Sequence, residues 1–265
     1  LGGAGFPTSL KLGFDPKEKQ PDFLIINGAE CEPYITSDYR CFMEEGEDVL
    51  EGVLLMLKYL GIPKCIIGIE KNKPKAIEKM TRLCEKHDNI TVKALKSSYP
   101  QGAEKTLIFS TTGRVVKEGT LPLASGCIVV NSSTAAFIAQ YIRTGMPLVK
   151  RRITVDGNIV KKPSNFIVPV GTSIGEIVYY AELSDKPDRI ILGGPMMGAC
   201  AFDPDYPLSK TNNAVLMFAD SPVYEPSECI RCGKCVTVCP HNALKLDVTL
   251  KGKRRRGTRQ EDADA

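Results

Sequence analysis

The sequence predicts an α/β fold: a domain built on a mostly parallel sheet, then a small α+β module, then a short cysteine-rich segment. Three observations predict it. Up to about residue 148, short apolar runs alternate with helical patterns, as in parallel strands joined by crossover helices. Near residue 150 the pattern changes to closely spaced strands around Asp156-Gly157, a strong turn signal. Cys229, Cys232, Cys235 and Cys239 then fall within twelve residues, CIRCGKCVTVCP. A chain of 265 residues, 43% hydrophobic and 25% charged, can bury one large core and a smaller one.

Each element has its own warrant. Leu1–Thr8 is a glycine-rich loop closed by Pro7. Asp22–Ile26 reads as a buried strand ending at Asn27-Gly28, Cys65–Ile69 as a second, Ile90–Leu95 as a third and Cys127–Asn131 as a fourth. Between them, Glu47–Leu60 carries Val49, Leu50, Val53, Leu54 and Leu57 at helical spacing and stops at Gly61. Lys75–Lys86, Glu104–Ser110 and Thr134–Arg143 complete the helices, the last stopped by Thr144-Gly145. Beyond residue 149, Lys150–Val155 and Asn158–Val160 form an expected hairpin across Asp156-Gly157. Phe166–Val170, a helix at Ser173–Ala181, and strands at Arg189–Leu192 and Ala214–Phe218 follow. This order suggests a β-grasp module over 149–221, after a domain over 1–148. Pro222–Pro226 reads as a linker into a cysteine segment over 222–248.

Bulk properties exclude several classes. No apolar run reaches the length of a membrane span, and Leu1–Thr8 lacks the basic start and apolar core of a signal peptide. Formal charge is +4. The last fifteen residues carry six basic and three acidic side chains, leaving only +1 elsewhere. Basicity is therefore a property of the tail, and nucleic-acid binding by the body is not expected. The tail, 249–265, is polar and aperiodic, and is expected to be disordered. Six of the ten cysteines are scattered, and a chain of this size needs no disulfides, so a reducing compartment is expected.

Two clusters and the cysteine run carry chemistry. Glycines in LGGAGFPT allow positive φ and present successive N–H groups to an anion, although many such loops are only turns. The loop does not join a strand to a helix as a dinucleotide fingerprint does. NGAECEPYITSDYR places Asn27, Glu30, Glu32 and Asp38 at a strand's C-terminal end, where α/β sheets bind ligands. Those acids could accept hydrogen bonds from sugar hydroxyls, or simply be a solvated acidic loop. C-x2-C-x2-C-x3-C-P is the bacterial-ferredoxin pattern for a 4Fe–4S cluster, in which the fourth cysteine commonly reaches a second cluster. No second run follows, so the segment reads as a partial ferredoxin-like domain, expected to hold its cluster poorly.

LGGAGFPT followed by NGAECEPYITSDYR resembles the flavin- and NADH-binding subunit of respiratory complex I. With YPQGAEKTLI, VVNSSTAA and GGPMMG, the chain resembles the C subunits of Rnf electron-transport complexes, over residues 1 to about 245. The resemblance implies FMN in the α/β domain, NADH as hydride donor, and a soluble-ligand-binding β-grasp module. It places Gly2, Gly3, Gly5 and Lys11 along the flavin and its phosphate, with Asn27 and Glu30 on the flavin from the strand end. Phe6, by stacking, and Glu32 would hold the nicotinamide nucleotide. Glu104, Asn131 and Thr134 match further nucleotide-side positions, and Asp38 lies within the acidic motif. Ala29 stands where complex I relatives have aspartate, and Ala103 where they have glutamate. The resemblance also implies that the chain is truncated at both ends. Its implied partners are other Rnf subunits and a ferredoxin-type carrier, on the cytoplasmic face of the cell membrane. Two further readings stand beside it: a microcompartment cobalamin reductase with the same cofactors, and a non-catalytic docking scaffold that carries a cluster.

Overall fold

The computed structural model describes residues 5–15, 17, 19–219, 232–238, 246–248 and 254–256. The chain divides into two units, Leu1–Ser221 and Pro222–Ala265. Two sheets make up the first unit. Its first half runs α1 (Thr8–Leu12), β1 (Phe23–Gly28), α2 (Ser37–Leu60), β2 (Lys64–Glu70), α3 (Pro74–Cys84), β3 (Ile90–Leu95), α4 (Glu104–Thr112), β4 (Cys127–Asn131) and α5 (Ser132–Thr144).

The four strands lie in the order β3-β2-β1-β4 with every pair parallel. Alternation along β1 explains why both faces are covered. Leu24 and Ile26 pack with Phe42, Val49, Val53, Met80 and Ile128 on the face of α2, α3 and α5. Ile25 points the other way, to Leu107, Ile108 and Val129 beneath α4. Helices α2 and α5 approach so closely that a Cβ on Gly52 would stand 1.9 Å from the carbonyl oxygen of Ala135.

Helix α2 begins ten residues before the expected Glu47. Its first turns are rich in charge and carry little apolar periodicity, and Glu45 breaks the helical backbone (φ −122°). Arg152 pairs there with Glu44 and, at 2.7 Å, with Glu45.

The second half runs β5 (Lys150–Asp156), β6 (Ser164–Pro169), α6 (Ile174–Tyr180), β7 (Arg189–Leu192), β8 (Ala199–Ala201) and β9 (Ala214–Phe218). These strands form one mixed sheet, β6-β5-β9-β7-β8, in which only β5 and β9 pair in parallel. Ile153, Val155, Ile174, Val215 and Met217 form its core, and Ser173 and Glu176 close a reciprocal cap at the start of α6.

The expected tight hairpin is corrected. Lys150–Asp156 pairs with Ser164–Pro169, not with Asn158–Val160. Gly157 (φ +136°) lies flat on Met217, whose carbonyl oxygen would be 1.9 Å from a Cβ. Asn158 turns to β9 instead, donating to the Ala219 carbonyl at 2.8 Å and accepting from its N–H at 3.0 Å.

In the second unit, α7 (Lys234–Thr237) follows Gly233, and β10 (Leu246–Val248) pairs antiparallel with β11 (Arg254–Arg256). The tail expected to be disordered, 249–265, lies outside the described residues except at Arg254–Arg256. The linker Pro222–Pro226 lies outside the described residues. No helix among the described residues is long and apolar enough to cross a membrane.

Candidate functional site

The strand order reverses at β1, which has β2 on one side and β4 on the other. Ligands in open α/β sheets bind at the carboxyl ends of strands beside such a point. Asn27 and Asn131 are register partners at those ends. Asn27 donates from Nδ2 to the Gly102 carbonyl at 2.9 Å and accepts the Ala29 N–H at 3.1 Å. Asn131 caps α5 by accepting the Ser133 N–H at 3.1 Å, and donates to Asp38 Oδ2 at 3.0 Å. Ser133 Oγ donates to the other oxygen of Asp38 at 3.1 Å. The first turn of α2 is thus tied to the end of β4, and the loop before α4 to the end of β1.

Glu30 is buried and caps the N-terminus of α2. Its carboxylate accepts the N–H of Asp38 at 2.7 Å, that of Tyr39 at 3.2 Å and the hydroxyl of Ser37 at 3.3 Å. Burial pushes its carboxyl up to about 7, helped by the nearby Asp38 charge; those N–H groups and Lys73 pull the other way. Lys73 Nζ lies 3.9 Å from Glu30 Oε2 and 2.9 Å from the buried Glu70. Half-buried Cys31 accepts the Gly102 N–H at 3.3 Å, and burial raises its thiol.

On the far side, Lys11 of α1 pairs with Glu104 of α4 at 2.6 Å, with its ammonium 5.8 Å from the ring centre of half-exposed Phe6. Gly5 takes φ +76°, and a Cβ there would meet Thr211 at 2.6 Å. Thr134 and Ser133 line a pocket with Thr8, Phe137, Leu148 and Arg151. Arg151 is buried, which lowers its basicity against the raising effect of Asp38. Glu32 lies apart from this group: its Oε2 accepts the Met196 N–H from the second sheet at 2.8 Å.

Asn27, Glu30, Asp38, Asn131 and Thr134 therefore lie at or beside the carboxyl ends of β1 and β4, Lys11 and Glu104 pair next to the Gly102 loop, Phe6 lies by Lys11, and Gly5 meets Thr211. Gly2 and Gly3 lie outside the described residues, as do Cys229 and Cys239. Cys232 and Cys235 are exposed on either side of the start of α7. Sequence reasoning missed Lys73, Gly102, Ser133 and Arg151. Gly102 and Ser133 stood inside quoted motifs, whereas Lys73 and Arg151 carried no signal.

These residues fit a flavin nucleotide. Ser132 Oγ, at the start of α5, is buried with no hydrogen-bond partner among the described residues, a donor suited to a polar ligand group. Gly5 and Gly102 sit where side chains would collide with neighbours. Thiolates at the spacing of Cys232 and Cys235 fit iron–sulfur ligation.

The family of the Nuo51 FMN-binding domain matches residues 1–140, and the 4Fe-4S binding domain matches 222–245. The chain is 40% identical over 257 residues to the C subunit of the Na(+)-translocating ferredoxin:NAD(+) oxidoreductase complex of Acetobacterium woodii, covering 96% of this chain and 58% of that protein. Identity is 41% to the proton-translocating counterpart of Clostridium ljungdahlii, over 96% of this chain and 56% of that protein. The chain spans about half the length of the curated relatives it matches. A crystal structure of NAD+-reducing NiFe-hydrogenase in the air-oxidized state shares the fold, with TM-score 0.69 and 22% identity, over 83% of this chain and 44% of that one. With the match over its first 140 residues joined to a parallel sheet whose polar ends converge at the switch point, the chain belongs to the family of the Nuo51 FMN-binding domain.

Proposed function

We propose that this chain is the electron-entry part of the C subunit in an ion-translocating ferredoxin:NAD oxidoreductase complex. The convergence of Asn27, Asp38 and Asn131 at the carboxyl ends of β1 and β4, with the Lys11–Glu104 pair next to the Gly102 loop, carries this reading. Similarity to the C subunits of such complexes, over nearly the whole chain, supports it. FMN, when bound, would link two-electron hydride chemistry with NADH to one-electron chemistry at iron–sulfur clusters.

The protein's own groups would hold and orient. Lys11 supplies positive charge for a phosphate, and the start of α5 supplies N–H groups and the Ser132 hydroxyl. Asn27 and Asn131 fix the two strand ends. Glu32 and Phe6 would take the nicotinamide nucleotide. Cys229, Cys232 and Cys235 would ligate one cluster, with Cys239 serving a second. The parallel central pair β5–β9, with a hairpin and one helix around it, supports a β-grasp reading of the second sheet. Partners would be the complex's membrane subunits and a ferredoxin-type carrier, with this chain peripheral to the membrane.

The test is anaerobic. FMN-loaded protein should lose its flavin absorption on adding NADH, and pass electrons to ferredoxin. Reduction of cob(II)alamin in preference to ferredoxin would replace this reading with the cobalamin reductase. Failure to bind FMN at all would leave the docking scaffold.

A further inference from the structure

We infer that the turn Gly193–Gly198 of the second sheet is a positioning device for Glu32, so that both sheets build the nicotinamide-nucleotide site. This rests on the reading of Glu32 as a nucleotide contact. The turn joins β7 to β8 and is closed by the Gly198 N–H on the Gly194 carbonyl at 2.8 Å. Its entry is fixed by Gly193, at φ +102°, whose N–H reaches the Ala214 carbonyl at 2.8 Å.

Two contacts hold Glu32. The Met196 N–H donates to Oε2 at 2.8 Å. Gly194 lies against the side chain, where a Cβ would stand 2.1 Å from Oε2 and 2.6 Å from the Glu32 Cβ. Any residue but glycine there must push the carboxylate away. Among the described residues Oε1 makes no hydrogen bond. One carboxylate oxygen is thus restrained while the other keeps its acceptor capacity for a ligand hydroxyl or amide N–H. A side chain ordered beforehand loses less freedom when the ligand binds.

The backbone beneath Glu32 is anchored to the same sheet. The Tyr34 ring (φ +70°) meets Phe218 edge-on at 5.3 Å, Ile35 is buried with Ala214 and Leu216, and the Thr36 N–H donates to Thr154 Oγ1 at 3.0 Å. Turn and loop are therefore held in one register. The glycines follow from this contact: they admit the backbone to the carboxylate as well as turning the chain.

The test uses FMN-loaded protein and four variants: Glu32→Ala, Gly194→Ala, their double, and Met196→Pro, which deletes the donor. NAD+ is titrated at equilibrium, with FMN content and melting temperature as controls. Glu32→Ala and Gly194→Ala should each weaken NAD+ about tenfold, the double no more than either, with FMN retained. The Met196 amide should exchange hydrogen faster in Glu32→Ala. If Gly194→Ala does not fold, Met196→Pro takes its place in the comparison. Normal NAD+ affinity in the turn variants beside a loss in Glu32→Ala, additive losses in the double, or unchanged Met196 exchange would each overturn the inference. Normal affinity in Glu32→Ala would instead remove the nucleotide-contact reading beneath it.

Discussion

Asn27 donates from Nδ2 to the carbonyl of Gly102 at 2.9 Å, across 75 residues of sequence. The Gly102 N–H returns to Cys31 at 3.3 Å. The loop before α4 is thus laced to the end of β1, with no space for a side chain: a Cβ on Gly102 would be 2.4 Å from the Ala29 carbonyl oxygen. Because that neighbour is backbone, Gly102→Ala must separate the two segments. Urea denaturation should show a loss of about 1–3 kcal/mol, and FMN titration a weaker complex.

The buried Glu30 makes stability depend on pH. Its folded-state value, about 7, lies above the ordinary 4.5, so the folded chain binds this proton more tightly than the unfolded chain does. The contribution is complete below pH 4.5 and is lost as pH rises through 7, by on the order of 3 kcal/mol. Glu30→Gln should remove this downward slope between pH 4.5 and 7. Unfolding curves for both proteins at several pH values check it; parallel profiles would contradict the assignment.

Gly52 marks the closest approach of α2 and α5. Gly52→Ala adds helix propensity, worth about 1 kcal/mol in favour, but forces a Cβ into the Ala135 carbonyl. Overpacking wins, because neither helix can retreat without opening the core of Val49, Val53 and Ala136. A net destabilisation of about 1–3 kcal/mol should appear in thermal or urea unfolding.

Lys11→Met separates folding from binding. The Lys11–Glu104 pair is partly exposed on both sides, and such pairs contribute less than about 1 kcal/mol. Melting temperature should barely change. FMN affinity should fall about tenfold, from the lost charge–phosphate interaction. A large drop in melting temperature with unchanged FMN affinity would make the pair structural only.

Asn131→Ala should act on both counts. It removes the cap on α5 and a partner of Asp38. Stability should fall by about 1 kcal/mol, with weaker FMN binding in titration.

The parallel sheet was legible because its strands are short apolar runs bounded by turn residues. The observed β2, β3 and β4 match Cys65–Ile69, Ile90–Leu95 and Cys127–Asn131 to within a residue at each end. The start of α2 was not legible: Thr36 makes no side-chain cap, and the cap comes from Glu30, seven residues before Ser37. Asp156-Gly157 misled for a similar reason, since Gly157 is required by the passing Met217 backbone and not by a two-residue turn. Local patterns carry strands and turns; groups that meet only through the fold, such as Lys73 with Glu30 or Glu32 with Met196, leave no periodic trace.

The bond between the Thr36 N–H and Thr154 Oγ1, with Asn165 donating to Thr36 Oγ1 at 2.8 Å, bears on how this chain can be divided. The boundary near residue 148 separates two sheets on paper, yet the acidic loop of the first is finished by strands of the second. A shortened chain ending there would leave Ile35 uncovered and Glu32 unheld. Exchanging the second sheet for that of a relative would succeed only if its loop partners came too, so the two sheets work as a matched pair rather than as interchangeable parts.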